Sequence, residues 1–464
     1  MIKSAFAALL AALVLPGAAL AAVDPTAAAF VVLSDDGAPQ ARVITTAGAC
    51  PSITVDGKEL PMSVRSPAGT APLRTTRSAP ADSKPSAFPV LSCEAAIPAG
   101  AVKASVGRHP LPLPAASPKR IVVFGDTGCR IKAADKAFQG CNDLDQYPFA
   151  RLAAAAAAWG PDLVVHVGDY EYRENPCPAA MASCAGSPWG YGWDAWNADF
   201  FAPGQRLLAA APWVMVRGNH ESCNRAGQGW WRFLDPRPLM TDHNCDNPAW
   251  DSEADFASPY AVPLGDGAQL VVLDSSNTSG AAIPPDSGAA RKYRDDYARL
   301  DALSQRAPYT IVASHHPLLG FAATEKNGEI KLNPGNLGLQ SVFGSQNPWL
   351  FPSSVQMALA GHVHVWEQIS FSSPHPTQFV AGFGGTQEDI VPLPRELPAD
   401  ASVAPGAVVE AFSSWVDGFG FMTLTRTGAT TWDVEVHDWN GSVVNRCQVT
   451  GRHSKCETPQ VVWP

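Results

Sequence analysis

Apolar positions at the start of the chain come in short runs of strand type. From about Val23 to Val106, runs such as Phe30-Val31-Val32-Leu33 and Ala41-Arg42-Val43-Ile44 alternate with Gly, Pro and Ser turns, and no long helical period intervenes. This pattern predicts a small N-terminal β-sandwich domain over residues 22–117. A proline-rich stretch from Pro110 to Pro118 then reads as a domain boundary, so a second unit is predicted over 118–464.

From Lys119 onward one arrangement recurs: an apolar, β-branched run stops at a glycine, and a residue of metal-binding type comes next. Ile121-Val122-Val123-Phe124 precedes Gly125-Asp126, and Leu163-Val164-Val165-His166-Val167 precedes Gly168-Asp169. Trp213-Val214-Met215-Val216 comes shortly before Gly218-Asn219, and Met357-Ala358-Leu359-Ala360 precedes Gly361-His362. Such runs suit strands buried on both faces, with helices between them. The Ala-rich segment Phe149 to Trp159, stopped by Gly160-Pro161, predicts one helix. Ala289 to Gln305 predicts another, with Tyr293, Tyr297 and Leu300 on its packing face. After Phe412 the pattern returns to strands, at Phe421 to Thr425 and Trp432 to His437. The class is therefore α/β, and in such sheets ligands gather at strand carboxyl ends, where these motifs would project.

The first residues, Met1-Ile2-Lys3, an apolar run from Phe6 to Leu20 and the small-residue site Ala19-Leu20-Ala21, have the layout of a secretory signal peptide over 1–21. The run is too short for a membrane span and no later stretch is long enough, so the expectation is an exported, periplasmic or extracellular protein without a membrane span. Without Lys3 the chain keeps 32 basic against 43 acidic residues, a net charge of −11 that disfavours nucleic acid and anionic lipid. A small phosphate ester remains compatible, since bound cations can dominate a local field. The composition, 46% hydrophobic and 16% charged, is that of a globular chain. Ten cysteines come after the leader with no CxxC among them, which points to disulfides rather than a zinc ribbon or redox centre. Sequence does not fix their pairing, but Cys50/Cys93, Cys129/Cys141, Cys177/Cys184, Cys223/Cys245 and Cys447/Cys456 would each close a local loop.

Five blocks carry the candidate chemistry: Gly125-Asp126-Thr127-Gly128, Gly168-Asp169-Tyr170-Glu171-Tyr172, Gly218-Asn219-His220-Glu221, Val312-Ala313-Ser314-His315 and Gly361-His362-Val363-His364. Taken singly each is commonplace, as a turn, a cap or a core histidine. As an ordered set they resemble the signature of the purple acid phosphatases within the calcineurin-like metallophosphoesterases. The resemblance runs from Lys119 to the region of Val434; the N-terminal part is similar only in being a small β module ahead of the enzyme.

That resemblance implies a four-layer αββα sandwich and a pair of metal ions bridged by Asp169. Asp126, Tyr172 and His364 would complete one ligand set; Asn219, His315 and His362 would complete the other. A phenolate favours Fe(III), while Asn and two His suit a divalent Fe, Zn or Mn. Relatives outside the purple group usually carry His where Gly128 stands, which favours the iron–tyrosinate version. The implied activity is that of an acid phosphatase hydrolysing phosphomonoesters through a hydroxide activated by both metals.

His220 is the expected catalytic acid or phosphate contact, because histidine can be cationic at mildly acidic pH, with support of the metal site as its structural alternative. His316 is expected either to contact substrate or to serve structure. Glu221 is expected to orient a neighbour. Gly382-Phe383-Gly384-Gly385-Thr386 lacks the ending of a phosphate-binding P-loop and reads as a tight turn. The aromatic cluster from Trp189 to Phe201 reads as packing, and His166 as core. Competing readings are a phosphodiesterase or nucleotidase on the same site, and an exported binding protein without catalysis; no Gly-x-Ser-x-Gly elbow supports a serine hydrolase.

Overall fold

The structure, a computed structural model, describes residues 24–76, 80–241, 244–387, 391–416 and 418–461. The expected leader, 1–21, lies outside the described residues. Two sheets face each other. In the larger, the parallel core is made by Arg120–Phe124, Leu163–His166 and Trp213–Met215, and it is extended antiparallel by Gly420–Arg426, Thr431–Asp438, Val443–Thr450 and His453–Cys456. The second has Ala268–Leu273, Tyr309–Ser314, Val355–Ala360 and Thr377–Ala381 in parallel, with antiparallel strands at both edges.

Alternation along each strand assigns its side chains to layers. Ile121, Val123 and Val165 point inward and meet Leu270, Val272, Ile311 and Met357 of the opposite sheet. Val122, Phe124 and Val164 point outward under the helices Phe149–Trp159 and Ala202–Leu208. Val271, Leu273 and Val312 are covered by Gly288–Ser304 and Leu337–Gln346 on the other side. Strands with two buried faces explain the continuous apolar runs, and the result is the expected αββα sandwich.

The helix at Phe149–Trp159 forms where its Ala-rich sequence predicts and stops at Gly160, whose φ of 75° lets its N–H close on the Ala157 carbonyl. Gly288–Ser304 starts under a cap from Ser287 and buries Tyr293, Tyr297 and Leu300 as expected. Leu337–Gln346 had no sequence prediction, because its buried face includes Gly338 and Gln340 and leaves no clean apolar stripe. The hairpin Ala322–Lys326/Glu329–Asn333 and the edge strand Tyr260–Pro263 also went unpredicted. All five local disulfides form.

The N-terminal region is strand-rich, as expected, and it is hydrogen-bonded directly to the larger sheet. Thr26–Leu33 adds parallel to Trp213–Met215, and Pro39–Thr45, Leu91–Ala96 and Ser63–Ser66 continue the large sheet from there. A separate four-stranded sheet, which includes Ser52–Val55 and Ala104–Val106, covers them, and its Ile53 and Val106 join the same core as Val123.

Two buried arginines fasten this region to the segment 231–237. Arg42 donates to the carbonyls of Phe233 and Asp235, and Arg65 to those of Trp231, Asp235 and Arg237 while pairing with Glu94 at 2.8 Å. Removing one partner from such a buried set strands the others without donors, so Arg65→Ala is expected to cost about 3–5 kcal/mol in urea unfolding. Near-ultraviolet circular dichroism and tryptophan fluorescence should still report one shared transition; a first transition confined to one signal would mean that the N-terminal strands unfold independently.

Candidate metal centre

The five blocks meet at the carboxyl ends of the parallel strands of both sheets, where each chain turns sharply off its strand. Three of the turning residues, Asp126, Asp169 and His362, have φ of 56°, 60° and 69°. Non-glycine residues in this left-handed region cost roughly 1 kcal/mol or more each and cluster at functional sites. The neighbouring glycines are required by proximity: a Cβ on Gly218 would lie 2.0 Å from Asp169 Oδ1, and one on Gly361 2.5 Å from Asp126 Oδ2.

The seven expected ligands converge in two groups that share one atom. Tyr172 Oη lies 2.8 Å from Asp126 Oδ1, 2.8 Å from Asp169 Oδ2 and 3.0 Å from His364 Nε2. Asn219 Oδ1 lies 3.0 Å from both His315 Nε2 and His362 Nδ1. His315 Nε2 is 3.2 Å from the same Asp169 Oδ2, which therefore joins the groups. Donor atoms bonded at ~2.1 Å to an octahedral ion stand roughly 3.0 Å apart, so these spacings match the edges of a coordination shell.

The bonding around the cluster shows what it is short of. His315 Nδ1 is 2.9 Å from the Val167 carbonyl and His364 Nδ1 is 3.0 Å from that of Gln387. Each ring must donate its proton there, which leaves both Nε2 lone pairs aimed inward among carboxylate, amide and phenol oxygens. Tyr172 has one proton for two carboxylates. A buried pocket so rich in lone pairs and so poor in donors calls for cations. Burial raises Asp126, and burial with the two aspartates pushes the Tyr172 phenol well above its ordinary value. The same carboxylates act on the imidazole beside them: against burial, Asp169 and Asp126 push His315 up to about 9. The donor set, two carboxylates, a phenol, an amide oxygen and three imidazoles, fits two metal ions.

Glu221, expected to orient a neighbour, holds the backbone around Asp169. Fully buried, it accepts from the backbone N–H groups of Asp169, Tyr170 and Gly218 at 2.8–3.2 Å, and burial together with Asp169 pushes it up to about 8. The glycine turn at 382–386 also braces the site: the Gly384 and Thr386 N–H groups donate to the carbonyls of Gly125 and Asp126. His166 is a satisfied core residue, 3.0 Å from Thr127 Oγ1 and stacked on Tyr170.

His220 lines the cavity over the expected ligands and its ring lies 3.8 Å from that of Tyr172. Its surroundings run against the expectation that it is cationic at mildly acidic pH. Burial and the adjacent Arg225 guanidinium hold it well below the usual histidine range, and Arg225 Nη2 is 2.6 Å from its Nε2. Arg225, which sequence reasoning missed for lack of any motif, brings the positive charge instead and is itself paired with Glu174. For His316, expected either to contact substrate or to serve structure, the geometry favours the second. It is buried, bonded through Nδ1 to Ser275 Oγ at 3.2 Å and packed 4.1 Å from the His362 ring, so it steadies that side chain. The expected aromatic cluster is packing: Tyr191, Trp196, Phe200 and Phe201 lie in the core under the first helical layer.

Residues 119–366 match the family model described as calcineurin-like phosphoesterase. Among solved structures the chain resembles a purple acid phosphatase from yellow lupin (Lupinus luteus) seeds, with a TM-score of 0.51, 16% identity, and coverage of 94% of this chain and 75% of that one. It also aligns with PhoD, with a TM-score of 0.48, 11% identity, and coverage of 95% and 94%. No curated protein sequence matches it significantly.

Because the Gly218 position has no room for a methyl group, Gly218→Ala should displace Asp169 and lower metal affinity by roughly 10–100-fold, read as metal content after dialysis. Gly48→Ala, where a Cβ meets nothing within 4 Å, should keep its metal. Equal metal content in the two variants would contradict the placement of Asp169 between the ligand groups.

Proposed function

The chain belongs to the calcineurin-like phosphoesterase family, hydrolases of phosphoric esters that use a dinuclear metal centre, and from this premise we propose that it is an acid phosphatase acting on small phosphomonoesters. The observation that carries this reading is the single oxygen, Asp169 Oδ2, held between two groups of converging donor atoms, 2.8 Å from Tyr172 Oη and 3.2 Å from His315 Nε2. Asp126, Tyr172 and His364 would hold one ion, Asn219, His315 and His362 the other, and Asp169 both. Ions held there would supply an acidified water and Lewis acidity toward the phosphoryl oxygens. The tyrosine among the ligands supports Fe(III) at the first position, with a divalent Fe, Zn or Mn at the second.

The chain's own residues divide the remaining work among them. The His220 backbone N–H, which donates to Asp169 Oδ1 at 2.8 Å, keeps the shared carboxylate from rotating, and Glu221 fixes the backbone that carries it. Arg225 sets a fixed positive charge at the cavity wall, where its guanidinium can receive phosphoryl oxygens as charge develops on them. His220 touches both Arg225 and the aspartate side, so it aligns the guanidinium and borders the leaving group. No side chain needs to act as nucleophile. Residues 118–464 form the catalytic unit in this reading, and 22–117 a β module that completes its sheet. An exported location fits five disulfides, and no described helix is long and apolar enough to cross a membrane.

With metals supplied, the protein should hydrolyse p-nitrophenyl phosphate in preference to bis-p-nitrophenyl phosphate; turnover of the diester alone would replace this reading with a phosphodiesterase. Removing the metals with a chelator should abolish activity and adding them back should restore it. A visible charge-transfer band should be present and vanish in Tyr172→Phe; an active but colourless protein would refute the tyrosinate. Arg225→Ala should lower kcat/KM by roughly 100-fold at unchanged metal content, the scale of one lost charge-stabilising donor.

A further inference from the structure

The wall of the cavity beside the metal ligands is supplied by one short segment. Residues 129–141 are closed into a loop by Cys129–Cys141 and fold as a small hairpin, Ile131–Lys132 against Ala137–Phe138, with a turn at Ala133–Asp135. The loop borders the same cavity of about 610 Å³ as Asp169, Tyr172 and His220. It is tied to the ligand segment itself. The Ile131 N–H donates to the Tyr172 carbonyl at 3.1 Å, the Cys129 N–H to Asp199 Oδ1 at 3.0 Å, and Gln139 Nε2 to the Gly385 carbonyl at 2.8 Å. Its position relative to the metal ligands is therefore fixed.

This loop is basic in a chain that is otherwise acidic, with 33 basic against 43 acidic residues overall. Arg130, Lys132 and Lys136 all line the cavity, and the first two share one carboxylate. Asp135 pairs with Arg130 at 2.7 Å and with Lys132 at 2.8 Å. Lys136 is exposed and has no ion pair among the described residues. It also stands at the tightest point of the turn, with φ of 54°, a conformation that glycine adopts at lower cost.

In the phosphatase reading Arg225 and the metal ligands serve the phosphoryl group that is cleaved, which leaves the charge on this loop available to another part of the substrate. Lysine ammonium groups act as compact point charges and suit a phosphoryl dianion approaching from solvent. A cavity of this size takes a small molecule, and the acidic chain as a whole repels nucleic acid.

We propose that Lys132 and Lys136, on the disulfide-closed loop 129–141, form a second anion subsite that selects small organic bisphosphates, in which one phosphoryl group is cleaved while another is held by the loop. The proposal rests on the phosphatase reading and narrows its substrate.

The test compares propane-1,3-diol bisphosphate with propane-1,3-diol monophosphate on the metal-loaded protein, reading released phosphate. The bisphosphate should be favoured in kcat/KM by roughly tenfold, beyond the twofold expected from its two equivalent ends, with the gain in KM; this is the scale of two exposed charge pairs facing a dianion. The advantage should shrink as ionic strength rises from ~0.05 to ~0.5 M. In the Lys132→Ala/Lys136→Ala variant the ratio should fall to about two, and Asp135→Asn, which frees positive charge, should raise it. Both lysines reach solvent, so neither change removes core packing. A wild-type ratio near two with the monophosphate still hydrolysed would overturn the subsite and leave the phosphatase reading standing. A high ratio that survives the double substitution would overturn the assignment to this loop. Hydrolysis of neither compound would overturn the phosphatase reading, and the subsite with it.

Discussion

The constraint on which this molecule turns is a shortage of hydrogen-bond donors. Around Asp169, oxygen and nitrogen lone pairs from six other side chains converge within hydrogen-bonding distance, yet two of the histidines have already given their protons to the carbonyls of Val167 and Gln387. Burying so many acceptors together is unfavourable unless cations sit among them. The rest of the architecture can be understood as what is needed to hold that arrangement against its own repulsion.

The two sheets do most of this. Their inner faces lock through a shared apolar core, so the strand ends that carry Asp126, Asp169 and Asn219 cannot move independently of those carrying His315 and His362. Left-handed backbone at three of the candidate ligands, Asp126, Asp169 and His362, is tolerated because the strands before and the packed loops after them leave no alternative path. The same crowding excludes a side chain at Gly218 and Gly361, where the methyl group of alanine would intrude on the carboxylates.

Around the ligands lies a ring of groups that set charge and direction. Glu221 ties Asp169, and Ser275 anchors the histidine that packs on His362. At His220 burial and the neighbouring guanidinium together disfavour a charged imidazole, and the buried Arg225, paired with Glu174, carries the positive charge there. The loop 129–141 adds further positive charge at the solvent side, fixed by its disulfide and by bonds to the Tyr172 segment.

Local sequence determined a good deal by itself. Apolar runs ending in glycine located the core strands and put the ligands at their ends, because doubly buried strands leave an unmistakable pattern and a sharp turn needs small residues. The Ala-rich helix ended at its predicted residue for a similarly local reason. Tertiary structure decided what depends on neighbours distant in the chain. Leu337–Gln346 is helical although its own periodicity is weak, since the sheet beneath it buries Gly338 and Gln340 along with its apolar side chains. Thr26–Leu33 joins the large sheet through its parallel pairing with Trp213–Met215, a contact across some 180 residues that no composition reveals. At the site, residue types foretold which atoms would gather, but the charge of His220 and the inward-facing position of His316 depended on burial and on Arg225 and Ser275, and these are properties of the packed molecule.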